Sequence, residues 1–105
     1  MTKAVRIHDY GGADNMKWEH VTVGSPGNGE VRVKHAAIGL NYIDVYQRTG
    51  LYDIGTLPAT LGMEGAGIIE ETGPGTEGFV VGERVAYAMS LGAYSEARLM
   101  ATDRL

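Results

Sequence analysis

Three side chains near the middle of the chain could take part in chemistry: Asn41, Tyr46 and Tyr52. A carboxamide is both a donor and an acceptor, and a tyrosine hydroxyl is neutral near pH 7 because its ordinary pKa is about 10. Such groups are poor bases, but they can stabilise an oxygen atom that gains negative charge during a reaction. Each also has a purely structural explanation, as a helix cap, a core aromatic and a loop side chain respectively.

A short helix is the element that would position these groups. Asn41 is a suitable N-cap, and Asp44 occupies the third helical position, as in a capping box. Gly50 provides a natural C-terminal stop. The residues with i, i+3, i+4, i+7 spacing between these signals are Tyr42, Val45, Tyr46 and Thr49.

Short segments of alternating apolar and polar residues surround this helix and predict strands. Sixteen glycines in 105 residues indicate many tight turns between them, and residues 51–60 are expected to form a loop. The sequence therefore predicts one mainly β domain over residues 1–105, a barrel or a sandwich, with one or two short helices. The predicted strands are 3–8, 16–23, 30–38, 65–72, 82–87 and 93–99.

The segment from Gly73 to Gly78 reads Gly-Pro-Gly-Thr-Glu-Gly and matches the dinucleotide-binding pattern G-x-G-x-x-G. That pattern binds phosphate only where it opens a helix, whose N-terminal amides face the pyrophosphate. Residues 79–82 are strand-like and end at Gly82, and Glu77 would place negative charge beside a phosphate. A glycine-rich turn between strands is the better interpretation.

A metal site is not expected. The histidines at positions 8, 20 and 35 are separated by 12 and 15 residues, which fits no helical i, i+4 pair, and the chain has no cysteine. Strand surfaces or partly buried polar positions explain them better.

Composition excludes several classes of partner. The formal net charge is −4 and there is no basic cluster, which argues against nucleic acid and anionic membranes. No apolar run reaches the roughly 18–20 residues that a membrane span needs. The absence of cysteine and of a signal-like apolar segment at the N-terminus indicates a cytoplasmic location.

Two stretches carry a family resemblance: Gly39 to Tyr46, which reads GLNYIDVY, and Leu61 to Gly67, which reads LGMEGAG. Together they resemble the substrate-side domain of medium-chain dehydrogenases and reductases. Zinc-dependent members carry Cys where Asn41 stands and His where Met63 stands, and the structural-zinc loop with four cysteines is also missing here. The resemblance thus indicates the zinc-independent quinone oxidoreductase branch, related to zeta-crystallin. It implies a GroES-like irregular β-barrel.

The resemblance also implies functional roles. Zinc-independent relatives use NADPH to transfer a hydride to a quinone or an activated alkene such as an enone. By this resemblance Asn41, Tyr46 and Tyr52 are catalytic, Asn41 and Tyr46 contact the cofactor, and Tyr52 and Met63 line the substrate site.

Two acidic residues are expected to have supporting roles. Asp44 matches an acidic family position, and its place at the helix start explains it adequately. Glu64 stands where zinc-dependent relatives place a glutamate behind the metal. Without zinc, it is expected to pair with Arg48 or to cap backbone amides.

The nucleotide-binding Rossmann domain of the family is absent from these 105 residues, so the chain alone is expected to be inactive and to bind NADPH weakly. Relatives complete this domain with chain that returns after the nucleotide domain. Without that segment, an unpaired sheet edge or an apolar patch should remain and lead either to self-association, hence a homo-oligomer, or to marginal stability; light scattering would test this. The alternative hypothesis is a free-standing GroES-like module that binds other proteins.

Overall fold

The computed structural model describes residues 2–105. Within them, seven strands, one α-helix and two single 3-10 turns follow the chain. The strands are β1 (Thr2–Ile7), β2 (Met16–Val21), β3 (Glu30–Ile38), β4 (Ala59–Thr60), β5 (Gly65–Thr72), β6 (Arg84–Tyr87) and β7 (Ala97–Ala101). The helix α1 is Tyr42–Thr49, and the 3-10 turns are Ala13–Asn15 and Thr102–Arg104.

The strands form two antiparallel sheets. The first has the order β2-β1-β4, and the second has the order β6-β5-β3-β7. In the second sheet β5 lies so close to β3 at Gly67 that a Cβ atom there would overlap the carbonyl group of Lys34. Val31 and Val33 are fully buried on β3 and His35 is half-buried, as the alternation predicts.

The segment 93–96 connects the two sheets. An isolated bridge pairs Ala4 with Ser95, and the Val5 N–H donates to the Tyr94 carbonyl at 2.7 Å. On the other side, the His35 N–H donates to the Glu96 carbonyl at 2.9 Å. Here one stretch of chain satisfies backbone groups of both sheets.

Two hydrophobic clusters form the core. The smaller cluster, beneath α1, contains Ile7, Leu61 and Tyr94. The larger cluster lies on the second sheet and contains Val31, Val33, Ile69, Tyr87, Ala93 and Met100. Tyr94 thus belongs to the core that faces the helix, and its neighbour Ala93 belongs to the other.

The mainly β fold is confirmed, but the closed barrel is wrong, because the strands form two sheets that do not continue into each other. The reason is that a single isolated bridge, between Ala4 and Ser95, joins the sheets in place of a continuous ladder. Segment 51–60, expected to be all loop, contains a strand at its end, β4, which adds only two residues to β1. The predicted strand 93–99 is also misplaced, because residues 93–96 bond irregularly to both sheets and regular pairing begins only at Ala97.

The glycine-rich segment 73–78 forms turns between β5 and β6 and opens no helix in the described chain, as predicted. Separately, none of the helices within residues 2–105 has the length and apolar character to cross a membrane.

Candidate functional site

The first turn of α1 is fixed by Asp44. Its Oδ2 accepts the backbone N–H of Asn41 at 3.0 Å, and the Asp44 N–H donates to the Asn41 backbone carbonyl at 3.0 Å. This is the capping-box arrangement that the sequence predicts. In the same box the Asn41 side chain faces the backbone of Asp44, although within residues 2–105 no hydrogen bond of standard geometry forms there. The Asn41 residue is exposed at the surface.

Asp44 is almost fully buried, with 5% of its surface exposed. Besides the Asn41 N–H, its Oδ2 accepts the hydroxyl of Tyr94 at 2.5 Å. Burial, and then the neighbouring Asp44 carboxylate, raise the pKa of the Tyr94 hydroxyl, so Tyr94 donates this hydrogen bond. The expected supporting role of Asp44 thus includes a contact fifty residues away along the chain.

Met63 lies against the inward face of α1. The Nε2 atom of Gln47 donates to the Met63 sulfur at 3.5 Å, and Gln47 is buried. Asp44 and Gln47 are three residues apart and therefore lie on one face of the helix. Through these two residues, α1 contacts both positions where zinc-dependent relatives carry metal ligands.

Tyr46 and Tyr52 lie together at the end of the helix. Their rings meet edge-to-face with centroids 5.6 Å apart, and the Tyr52 N–H donates to the Tyr46 carbonyl at 3.1 Å. Both rings are partly exposed. The structure therefore brings these two predicted residues together, while Asn41 lies at the other end of α1 and Met63 on its inward face.

An exposed apolar surface adjoins Asn41. Leu40, Tyr42 and Val45, here called the α1 wall, line a shallow depression together with Asn41, and Leu40 and Tyr42 are 77% and 82% exposed. Leu40 also borders a mainly apolar groove of about 430 Å³, here called the Trp18 groove. The groove is lined by Val5, Met16, Trp18, Ile38, Leu40, Tyr94, Ser95 and Glu96.

The expected pairing of Glu64 with Arg48, or with backbone amides, is wrong. No hydrogen bond or ion pair engages the Glu64 carboxylate within residues 2–105. The backbone explains the difference, because the Gly39 N–H donates to the Glu64 carbonyl at 3.1 Å. This bond places Glu64 at the end of β3, where its side chain covers the position that a Cβ atom of residue 39 would occupy.

The three histidines lie apart. His8 pairs with Glu19 at 2.6 Å on the surface, and His20 is exposed on β2. The part of the chain that the structure describes contains no group of three His, Cys, Asp or Glu side chains arranged for a metal.

His35 is half-buried in a network with neutral partners. Its Nδ1 lies 2.8 Å from the Ser95 carbonyl, which can only accept, so Nδ1 carries the proton and Nε2 accepts the Tyr87 hydroxyl at 2.7 Å. Arg98 also donates to the Tyr87 oxygen at 3.3 Å. Burial lowers the pKa of His35 below its ordinary 6.5, and the Arg98 guanidinium lowers it further, against the opposing effect of the Ser95 carbonyl.

The stability of the fold is expected to decrease as the pH falls through 6.5 and below. The unfolded chain takes up a proton at the ordinary pKa of histidine, whereas the folded chain resists it, so acid favours unfolding in this window. Urea midpoints between about pH 7.5 and 5.5, above the range of most carboxylates, would measure the effect. His35→Gln should flatten this pH dependence, and an unchanged slope in that variant would contradict the assignment.

Sequence reasoning missed Tyr94 and Gln47. Gln47 could have been found, because it shares the i, i+3 face with Asp44. Tyr94 gives no comparable signal, since its contact with Asp44 spans fifty residues.

Comparison with known proteins agrees with the fold. Residues 27–104 match the family described as "Alcohol dehydrogenase GroES-like domain". The whole chain is 47% identical to a 2-haloacrylate reductase of Burkholderia sp and 46% identical to a quinone oxidoreductase of Pseudomonas aeruginosa, and it covers 33% of each. The crystal structure of Escherichia coli quinone oxidoreductase complexed with NADPH superposes with a TM-score of 0.93 at 38% identity, over 97% of this chain and 32% of that one.

The chain thus spans about a third of the length of these relatives. The family match covers most of the chain, and the identities are high across all of it. The chain belongs to the alcohol dehydrogenase GroES-like domain family, as the resemblance of its two sequence stretches to the quinone oxidoreductases predicts.

Proposed function

We propose that this chain forms the substrate-side wall of an NADPH-dependent reductase that transfers a hydride to a quinone or an activated alkene. The observation that carries the proposal is the Asn41 side chain, which is exposed at the start of α1 and adjoins the apolar α1 wall. The names of the relatives support the reaction class, since they include quinone oxidoreductases and a 2-haloacrylate reductase.

The residues present fit the nicotinamide end of the cofactor. A nicotinamide has flat apolar faces and a carboxamide, and the α1 wall offers apolar side chains next to the Asn41 amide. When bound, NADPH supplies the hydride. Asn41 would hold the carboxamide of the cofactor or an oxygen of the substrate, and Tyr46, toward the other end of α1, would also contact the cofactor.

Tyr52 and Met63 would line the substrate site. The Tyr52 hydroxyl is partly exposed and would donate a hydrogen bond to the substrate oxygen as that oxygen gains charge. Neutral donors suit this task because the acceptor ring or alkene is already electron-poor. Asp44 keeps the start of the helix in place, and Glu64 supports the neighbouring turn against Gly39.

Zinc independence belongs to the same proposal. A carboxamide and a thioether are poor zinc ligands, and the Met63 sulfur already accepts a hydrogen bond from Gln47. We also propose a cytoplasmic location, a homo-oligomeric state, which sedimentation would measure, and no nucleic-acid or membrane partner.

NADPH titrated against the 105-residue chain is expected to give no saturable binding at micromolar concentrations. The described residues provide one apolar wall for the nicotinamide, and their G-x-G-x-x-G segment opens no helix that could hold the phosphates. Quenching or enhancement of NADPH fluorescence would measure the affinity. A sub-micromolar dissociation constant would contradict this division of roles between the chain and a nucleotide-binding domain.

A free-standing protein-binding module is the second candidate. The exposed apolar residues of the α1 wall and the Trp18 groove favour it, because such surfaces often mark interaction sites. The two candidates differ in one measurement. NADPH-driven reduction of a quinone, by a form of the protein that carries a nucleotide-binding domain, would support the enzyme and exclude the module.

A further inference from the structure

We propose that Tyr94 is a positioning residue for Asn41 and that it acts through the carboxylate of Asp44. The inference deepens the proposed function and rests on it for its catalytic part. Tyr94 lies in segment 93–96, here called the seam between the sheets, and its hydroxyl reaches the first turn of α1. Three features of the structure carry it.

The first feature is the firm placement of Tyr94 itself. Its N–H donates to the Leu61 carbonyl at 2.8 Å, and its carbonyl accepts the Val5 N–H at 2.7 Å. Its ring packs over Gly62, where a Cβ atom would overlap the ring and lie 2.8 Å from the Tyr94 nitrogen. The hydroxyl therefore extends from a backbone that hydrogen-bonds on both sides.

The second feature is that one oxygen atom connects Tyr94 with Asn41. Oδ2 of Asp44 accepts the Tyr94 hydroxyl at 2.5 Å and the Asn41 backbone N–H at 3.0 Å. A displacement of the carboxylate would therefore move the backbone of the residue whose carboxamide faces the ligand. Because the Tyr94 hydroxyl and the Asn41 N–H share one acceptor atom, a shift of either group is transmitted directly to the other.

The third feature is the other oxygen of the same carboxylate. Oδ1 of Asp44 is buried and has no hydrogen-bond partner among residues 2–105. The carboxylate is thus held from one side, and Tyr94 is the only side chain in the described part of the chain that donates to it. Without the hydroxyl, the orientation of Asp44 would rest on the Asn41 N–H alone.

The test compares Tyr94→Phe with Tyr87→Phe in the 105-residue chain. The control also removes a buried hydroxyl, since Tyr87 and Tyr94 are 7% and 9% exposed, but Tyr87 bonds to His35 and Arg98 in the other cluster. Amide hydrogen exchange of Asn41, followed by NMR, is expected to accelerate about tenfold in Tyr94→Phe relative to the change in Tyr87→Phe. Equal acceleration in both variants, or none in Tyr94→Phe, would overturn the proposal.

Asp44→Asn provides a second route should Tyr94→Phe fail to fold. It keeps the shape of the side chain and weakens the shared acceptor, so the Asn41 amide should again exchange faster than in Tyr87→Phe. An Asn41 amide that exchanges as slowly as in the unsubstituted chain would count against the connection.

The effect of Tyr94 on catalysis is measured in a form of the protein that carries a nucleotide-binding domain. There Tyr94→Phe should lower kcat for quinone reduction about tenfold with little change in KM for NADPH, whereas Tyr87→Phe should leave both near their original values. Unchanged kcat in Tyr94→Phe would overturn the role in catalysis. If the unsubstituted protein shows no turnover, the proposed function fails, and the exchange experiment still decides whether Tyr94 positions Asn41.

Discussion

Asn41→Ala is expected to lower kcat/KM for NADPH-driven quinone reduction about a hundredfold, in a form of the protein that carries a nucleotide-binding domain. Loss of one aligned donor to an oxygen that gains charge typically costs about two orders of magnitude or more. The fold should lose about 1 kcal/mol, the usual cost of replacing an N-cap asparagine by alanine, because Asn41 forms half of a capping box with Asp44.

Asn28→Ala is the matched control for this experiment. Asn28 is also exposed, but it lies in the turn between β2 and β3 and near Gly75 rather than on the helix. Steady-state kinetics and urea unfolding of both variants separate a role in the reaction from a role in stability. An activity loss below about threefold, or a loss that simply follows unfolding, would remove Asn41 from the proposed site.

Gly62→Ala is expected to destabilise the fold by about 3 kcal/mol. The backbone of Gly62 is left-handed, with φ of +97°, which strains any L side chain. The added methyl group would also overlap the ring of Tyr94, so the ring or the backbone of Tyr94 must shift. Urea unfolding would measure the loss.

Gly55→Ala isolates the backbone-strain part of that effect, so that the difference between the two variants gives the steric part. Gly55 has a similar φ of +87°, but no atom lies within 4 Å of the position that its Cβ would occupy. This variant should therefore show the backbone strain alone, about 1 kcal/mol. If the two substitutions proved equally costly, the contact between Gly62 and Tyr94 would not contribute to stability.

Helices and strands were predictable where capping residues or glycines mark both of their ends. The helix Tyr42–Thr49 and the strand Gly65–Thr72 have the predicted bounds. In the first case a capping pair and Gly50 fix the ends, and in the second case glycines stand at both ends of an apolar run. These signals act over a few residues, which is the range that a sequence pattern can report.

Features that depend on distant partners were not predictable in the same way. Residues 93–96 have the alternation of a strand, but their backbone groups bond to both sheets, so β7 begins later. Whether the sheets close into a barrel depends on whether residues 93–96 pair as a continuous ladder, and alternation carries no information on that.

The candidate site follows the same division. The role of Asp44 at the helix start was predictable from spacing, whereas its contact with Tyr94 was not. The prediction that Glu64 contacts Arg48 was wrong. A backbone hydrogen bond between Gly39 and Glu64, which no sequence pattern reports, decides where Glu64 lies. The roles of Asn41, Tyr46, Tyr52 and Met63 in catalysis and binding stay predictions.

The bond between Tyr94 and Asp44 bears on the order in which the domain assembles. Helix α1 has its own local stop and start signals, but an eight-residue helix is marginal in water by itself. Asp44, on its inward face, can accept the Tyr94 hydroxyl only after the fifty-residue loop between these two residues has closed. That closure is entropically costly. We therefore expect the first turn of α1 to be among the last parts to become rigid, after segment 93–96, which carries Tyr94, has joined the two sheets.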